Sequence, residues 1–219
     1  VQMGKDERVS TVIPLKDFNH DGHYLITATE RGLIKKTPLE AYSRPRRGGI
    51  NAVGLNEGDH VVDVRMTDGD KQLLLATAKG MAVKFHEKDA RPMGRTSRGV
   101  RGVRLGMDDK VVSMVMVSDE DTIATITEHG YGKRTKVDDY RLINRGGKGV
   151  RNIVCSPRNG KVVCVKRVED DDDLLFISNK GTVIRTHAKD ISVIGRNTQG
   201  VRLMRLGADD KVVAAAKIV

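Results

Sequence analysis

The residues of this 219-residue chain with chemistry to offer are cations set beside glycines, and they recur in a fixed frame. Gly32, Gly80, Gly130 and Gly181 each lead by four residues to a cation: Lys36, Lys84, Arg134 and Arg185. A basic, glycine-rich stretch follows each time. These are Arg46-Arg47-Gly48-Gly49, Arg95-Thr96-Ser97-Arg98-Gly99-Val100-Arg101, Arg145-Gly146-Gly147-Lys148-Gly149-Val150-Arg151 and Arg196-Asn197-Thr198-Gln199-Gly200-Val201-Arg202. The leading glycines are 48, 50 and 51 residues apart. Cations neutralise an anion, and a residue without a side chain lets backbone amides approach it closely. The chemistry is therefore the holding of a polyanion.

The charge distribution agrees. Windows 31–51, 79–104, 133–151 and 180–205 hold 6, 8, 7 and 6 Lys and Arg against 1, 2, 2 and 1 acids, a sum of +21. The whole chain carries +10, so the remainder carries −11. Positive charge is confined to one segment of each period, which a randomly solvated surface would not reproduce four times.

Other chemistries find little support. Gly195 to Gly200 has phosphate-loop glycine spacing, but Val201 and Arg202 stand where Lys and Ser or Thr are required. Of six histidines only His20 and His23 are close, and no set of metal ligands accompanies them. The run Asp170 to Asp173 lacks the spaced oxygens and glycine of a calcium loop. No Ser, His and Asp set points to catalysis, and no cofactor is expected. Cys155 and Cys164 sit among valines and read as free, buried thiols. There is no apolar stretch of membrane-spanning length, and the chain reads as a cytoplasmic monomer.

A period near fifty residues marks a repeat architecture. Repeats fall at about 9–58, 59–108, 109–160 and 161–210, with a closing strand at 211–219. Residues 1–8 resemble 104–112, so the sequence reads as beginning inside a repeat. Each unit opens with a β-branched run (Arg8 to Pro14, His60 to Met66, Lys110 to Val117, Lys161 to Val168) and reaches a polar tip. The tips Asn19 to Gly22, Asp68 to Asp70, Asp119 to Asp121 and Asp170 to Asp173 read as hairpin turns. A second strand, the leading-glycine turn and a third strand bearing the cation follow. Thr37-Pro38-Leu39-Glu40 has the cap, proline and glutamate of a helical turn, and Thr135 with Asp138 repeats the idea. In the fourth strand Val100, Val150 and Val201 are expected to face inward, with Arg101, Arg151 and Arg202 outward. Four strands per unit make a blade, and radial blades make an all-β, propeller-like ring or arc of about four blades. The absence of Trp fits neither WD40 nor kelch repeats.

Only 3% of residues are aromatic, too few for platforms that stack single-stranded bases. Duplex phosphates suit the pattern better, contacted without reading of sequence. A duplex touching several blades must bend, at a cost of about 1–6 kcal/mol over a few tens of base pairs.

The segments GYGKRT at 130–135, RPMGRTSRGVRGVRL at 91–105, RGGKG at 145–149 and GRNTQGVRL at 195–203 resemble the C-terminal domains of DNA gyrase A proteins, in order and spacing through all four repeats. That family's fold is a β-pinwheel whose blades exchange strands. The resemblance implies wrapping of double-stranded DNA on the outer rim with a fixed hand, in service of negative supercoiling. The parent implied is an ATP-dependent type II topoisomerase, DNA gyrase, containing gyrase B and a second gyrase A, at the nucleoid. The family's heptad Gln-Arg-Arg-Gly-Gly-Lys-Gly has its best match at Ile143 to Gly149, with Ile143 and Asn144 replacing its first two residues, and Arg46 to Gly49 matches only its middle. Blades bearing the full heptad are expected before residue 1. The region holding the family's tyrosine nucleophile has no counterpart, so no tyrosine is read as catalytic. The alternatives are the equivalent domain of topoisomerase IV and a propeller-like scaffold for an acidic protein partner.

The candidate DNA-binding cations are therefore Lys36, Arg46, Arg47, Lys84, Arg95, Arg98, Arg101, Arg134, Arg145, Lys148, Arg151, Arg185, Arg196 and Arg202, with Arg145 and Lys148 foremost. The candidate glycines for backbone approach are Gly48, Gly49, Gly99, Gly146, Gly147, Gly149 and Gly200.

Overall fold

A computed structural model of the chain describes residues 9–15, 18 and 21–218. Alternating and β-branched runs form strands β1 (Tyr24–Thr29), β2 (Leu33–Pro38), β3 (Val61–Thr67), β4 (Gln72–Thr77), β5 (Met81–His86), β6 (Val100–Arg101), β7 (Val111–Val117) and β8 (Thr122–Thr127). The series continues with β9 (Tyr131–Lys136), β10 (Val150–Arg151), β11 (Val162–Val168), β12 (Asp173–Ser178), β13 (Val183–His187), β14 (Val201–Arg202) and β15 (Val212–Ile218). A single 3-10 turn follows each third strand, at Leu39–Tyr42, Glu87–Asp89, Val137–Asp139 and Ala188–Asp190. The first and third of these lie where the sequence places helical turns. Their N-cap positions are Pro38 and Lys136, without a side-chain cap, instead of the expected threonines.

The sheets run β3-β1-β2-β6, β7-β4-β5-β10, β11-β8-β9-β14 and β15-β12-β13. The first three are thus built from the second and third strands of one unit, flanked by the opening strand and the short strand of the next; the fourth has three strands, with β15 as its only flank, where four were expected. The acidic tips Asp68 to Asp70, Asp119 to Asp121 and Asp170 to Asp173 are consequently not hairpin turns. They carry the chain from one sheet into its neighbour. The hairpins lie at the leading glycines instead, where Gly32, Gly80, Gly130 and Gly181 hold φ between 75° and 83°. A glycine in the left-handed region closes a short hairpin loop, and that local signal is stronger than acids in a tip. The expected opening strand at 8–14 forms no strand among its described residues, 9–14; Arg8, the tail 1–8, Asn19, His20 and Val219 lie outside the described residues.

The packing follows from the pleat. In β4, Leu73 and Leu75 pack towards Ile26, Ile34, Phe85 and Met114, while Leu74 and Ala76 face Ile123, Tyr140 and Val165 on the opposite side. A third core, around Leu174, Phe176, Ile126 and Met204, joins the last two sheets. Each core thus lies between consecutive sheets. The opening strands β3, β7, β11 and β15 pack on one another in sequence and surround a common space lined by Val62, Val112, Cys164 and Ala215. They form the inner wall. In the first three sheets the short strands β6, β10 and β14 lie at the opposite, outer edge. Cys155 and Cys164 are free thiols, and burial raises both pKa values, that of Cys164 to about 11.

Candidate nucleic-acid interface

The last three basic loops run along this outer edge, each crossing the third strand of the preceding unit. Met93, Ile143 and Ile194 donate their amides to the carbonyls of Lys36, Lys84 and Arg134 at 2.8, 3.0 and 2.9 Å. The chain then turns over and pairs antiparallel through Val100↔Ile34, Val150↔Ala82 and Val201↔Gly132.

Arginines bind successive loops together. Arg95 Nη1 donates to Asn51 O, Arg145 Nη1 to Arg101 O and Arg196 Nη1 to Arg151 O, each at 2.9 Å. Arg145 also donates through Nε to Asp89 O at 2.8 Å. The backbone adds a parallel rung: the amides of Gly54, Arg104 and Val154 reach the carbonyls of Ser97, Gly147 and Thr198 at 3.1, 2.9 and 2.9 Å. A guanidinium has five donors, so one used on a carbonyl leaves others for an external acceptor.

Two buried lysines hold loops from below. Lys35 Nζ donates to Ala52 O at 2.5 Å and to Arg95 O, and Lys133 Nζ to Gly195 O and Arg196 O at 2.7 and 2.9 Å. Burial lowers both lysines to a pKa of about 8, with the neighbouring Arg95 or Arg196 charge as a lesser cause. Sequence reasoning assigned neither residue a role. Val83 takes their place in the second blade, so no periodic signal exposes them.

Above this framework Arg46, Arg47, Arg98, Arg101, Lys148, Arg151 and Arg202 are exposed, while Arg95, Arg145 and Arg196 are half-buried by their carbonyl contacts. Exposed Arg44, Arg91, Arg104, Arg141 and Arg205 share the same loops and were missed. A usable signal existed for two of them: Arg104 and Arg205 each follow the outer-strand arginine by three residues.

The chain matches the model of the DNA gyrase C-terminal domain, beta-propeller, over residues 23–68, 71–118, 121–171 and 172–218. It belongs to that family. It is 56% identical over 218 residues to the DNA gyrase A protein of Halalkalibacterium halodurans, and 43% identical over 213 residues to that of Klebsiella oxytoca. These matches cover 100% and 97% of the chain but 26% and 24% of the relatives, so the chain spans about a quarter of their length. Among solved structures it superposes on a C-terminal domain of DNA topoisomerase IV with TM-score 0.93, and on a DNA gyrase A C-terminal domain with TM-score 0.88. Both are 26% identical; they cover 99% and 100% of this chain, and 68% and 73% of those chains. The strand exchange expected from the resemblance is the exchange seen between the sheets of this gyrase-family domain.

The domain corrects part of the expected cation set. Lys36, Lys84 and Arg134 are only 4%, 3% and 5% exposed. Lys36 pairs with Glu87 at 2.9 Å, Lys84 with Asp119 at 2.7 Å and Arg134 with Asp170. Arg185 is exposed but paired with Asp173 across its own hairpin. The Lys84 ammonium beside Asp119, and the Arg185 guanidinium beside Asp173, hold those carboxyls below the usual carboxylate range. Lys84, Arg134 and Arg185 therefore answer acids of the tips, Lys36 answers Glu87 of the 3-10 turn, and the three buried cations cannot reach a phosphate outside.

The glycines divide too. A Cβ on Gly99, Gly149 or Gly200 would stand 2.4, 2.1 or 2.6 Å from a carbonyl oxygen of Ile34, Ala82 or Gly132, so these positions serve the approach of strand to strand, not of backbone to ligand. Gly48 and Gly49 have nothing within 4 Å, and Gly146 and Gly147 have no neighbour closer than 3.4 Å. The alternation expected of the short strands holds for Arg101, Arg151 and Arg202, which are exposed, and for half-buried Val100 and Val150. Val201 is 37% exposed; its partner is Gly132, which offers no side chain to cover it.

Proposed function

We propose that this chain binds double-stranded DNA without reading its sequence and wraps it along the outer basic rim. The observation that carries the proposal is the recurrence, on outer loops of successive blades, of exposed cations without an ion pair among the described residues, joined loop to loop by Arg95, Arg145 and Arg196. A row of phosphate contacts on a curved rim offsets the cost of bending the duplex. The contacting residues in this reading are Arg46, Arg47, Arg98, Arg101, Lys148, Arg151 and Arg202, joined by the remaining donors of Arg95, Arg145 and Arg196. Gly48, Gly49, Gly146 and Gly147 leave the backbone open beside them. The domain works within a gyrase A protein, beside gyrase B and a second gyrase A, in the ATP-dependent introduction of negative supercoils at the nucleoid. It supplies no catalytic group itself. Gyrase is preferred over topoisomerase IV because the curated relatives at 41 to 56% identity are gyrase A proteins.

Ligating nicked circular DNA in the presence of the chain, then removing protein and reading linking number on a gel, tests this. A protein-dependent shift towards positive linking difference is expected. Duplex binding without any shift would remove wrapping from the proposal, and no binding at low salt would remove the whole of it.

A further inference from the structure

One stretch of the rim differs from the rest. At the outer end of the β8–β9 hairpin, Tyr131 is buried on the floor of a basin of about 540 Å³, and one arginine from a turn and one from β14 converge on its phenol. Arg202 Nη2 donates to Tyr131 Oη at 2.9 Å and Arg158 Nε at 3.3 Å. The two guanidinium carbons also stand 5.5 and 4.9 Å from the ring centroid. Arg205 lines the same basin. Among the described residues none of the three arginines has an ion pair. Asp209 and Asp210 stand at the basin's border, where Asp210 Oδ1 is taken up by the amides of Lys180 and Lys211 at 3.3 and 3.0 Å.

The basin has no equal in the other blades. Tyr131 is replaced by Leu33, Met81 and Thr182 at the matching hairpin positions. The turn that supplies Arg158 is one residue longer than its counterparts, closing from Gly160 N to Ser156 O where the others close from Asp59 N to Asn56 O and from Asp109 N to Gly106 O. Those shorter turns, Asn56 to Asp59 and Gly106 to Asp109, contain no arginine.

Guanidinium groups gathered without an ion-paired carboxylate repel one another, and an anion between them relieves that repulsion while accepting their outward donors in bidentate pairs. A phenol and its ring face fix the two guanidiniums in orientation before the anion arrives. The guanidiniums in turn favour the phenolate and lower the Tyr131 pKa from its ordinary value, Arg158 being the larger cause.

From this convergence we infer that the Tyr131–Arg158–Arg202–Arg205 basin is a preorganised seat for one backbone phosphodiester of the duplex, a fixed point against which the rest of the rim is registered. The inference rests on the duplex-binding reading above, and its test separates the two.

Duplex affinity of the full chain is measured against salt concentration for wild type, Arg158→Gln and Tyr131→Phe. Wild type establishes the duplex reading by a steep slope. Arg158→Gln, a change on an exposed turn, is expected to lower that slope by about 0.9, the equivalent of one neutralised phosphate. Tyr131→Phe keeps every charge, so it is expected to weaken binding while leaving the slope unchanged. The side-chain Nε–H signals of Arg158 and Arg202 are expected to shift in nitrogen-15 NMR spectra when duplex is added. An unchanged slope in Arg158→Gln beside a steep wild-type slope overturns the seat and leaves duplex binding standing. Arginine signals that respond to inorganic pyrophosphate but not to duplex overturn it in favour of a free phosphoanion. A flat wild-type slope overturns the underlying reading itself.

Discussion

Lys84 on β5 and Lys148 on the loop that crosses it belong to one blade and differ in every physical respect. Lys84 is buried, with its ammonium on Asp119 at 2.7 Å and on the Val137 carbonyl at 3.2 Å. Lys148 is exposed and has no hydrogen bond or ion pair among the described residues. The same contrast in exposure and ion pairing separates Lys36 from Arg46 and Arg134 from Arg202. In a repeat protein, periodicity marks what every unit needs for its own assembly as strongly as what it offers to a partner. The acids settle which is which: a cation paired with a carboxylate of a tip or of the 3-10 turn is part of the scaffold.

Breaking a scaffold pair gives the largest expected effect. Lys36→Met leaves Glu87, which is fully buried and also accepts from Thr67 Oγ1 at 2.8 Å and Lys71 N at 2.7 Å, without its counter-charge. Removing one partner of a buried pair costs about 3–5 kcal/mol. The urea midpoint should fall accordingly, and the protein that remains folded should bind duplex as wild type does. Reduced duplex affinity at unchanged stability would return Lys36 to the interface.

The glycines sharpen the comparison at a smaller scale. Gly149→Ala forces a Cβ to 2.1 Å from Ala82 O at φ 76°, and strain of this kind costs about 1–3 kcal/mol. Gly48→Ala meets nothing within 4 Å and should leave stability within about 0.5 kcal/mol of wild type. Thermal unfolding of the two variants reads the difference; equal losses would mean that the seam between β5 and β10 is not where Gly149 acts.

The smallest effect on stability belongs to the rim itself. Lys148→Gln should unfold within about 0.5 kcal/mol of wild type, while the slope of log affinity against log salt drops by about 0.9. Lys148 is the cleaner test than Arg145, whose guanidinium also holds the carbonyls of Asp89 and Arg101. A slope unchanged by Lys148→Gln would place the phosphate contacts elsewhere on the loops.

The period, the strand-forming runs and the outward Arg101, Arg151 and Arg202 were legible because each depends on local pattern: β-branched alternation, glycine turns and a repeated spacing. Which strand pairs with which was not legible from that pattern. β3 is joined to β4 by Asp68-Gly69-Asp70, yet its partner β1 lies on the far side of the first basic loop, and tertiary pairing leaves no local mark. The burial of Lys36, Lys84 and Arg134 followed from the same omission. Once the opening strand of the next unit is laid against the preceding sheet, its acidic tip arrives over Lys84 and Arg134, and the 3-10 turn of that next unit brings Glu87 to Lys36. The arginine staples stayed hidden because a donor to a carbonyl needs no particular residue type opposite it: Asn51, Arg101 and Arg151 serve alike.

The exchange of strands between units separates the unit of inheritance from the unit of architecture. Cutting out one sheet would require several separate excisions, since the second sheet draws its strands from residues 72–86, 111–117 and 150–151. Cutting out one sequence period, by contrast, needs a single excision. With 109–160 removed, β11 and β14 meet β4 and β5 in the registers that β7 and β10 occupied, and no sheet is left with a missing member. Such a lineage can lengthen or shorten its arc by simple duplication or loss at any phase of the period, and with each step changes the length of rim it presents.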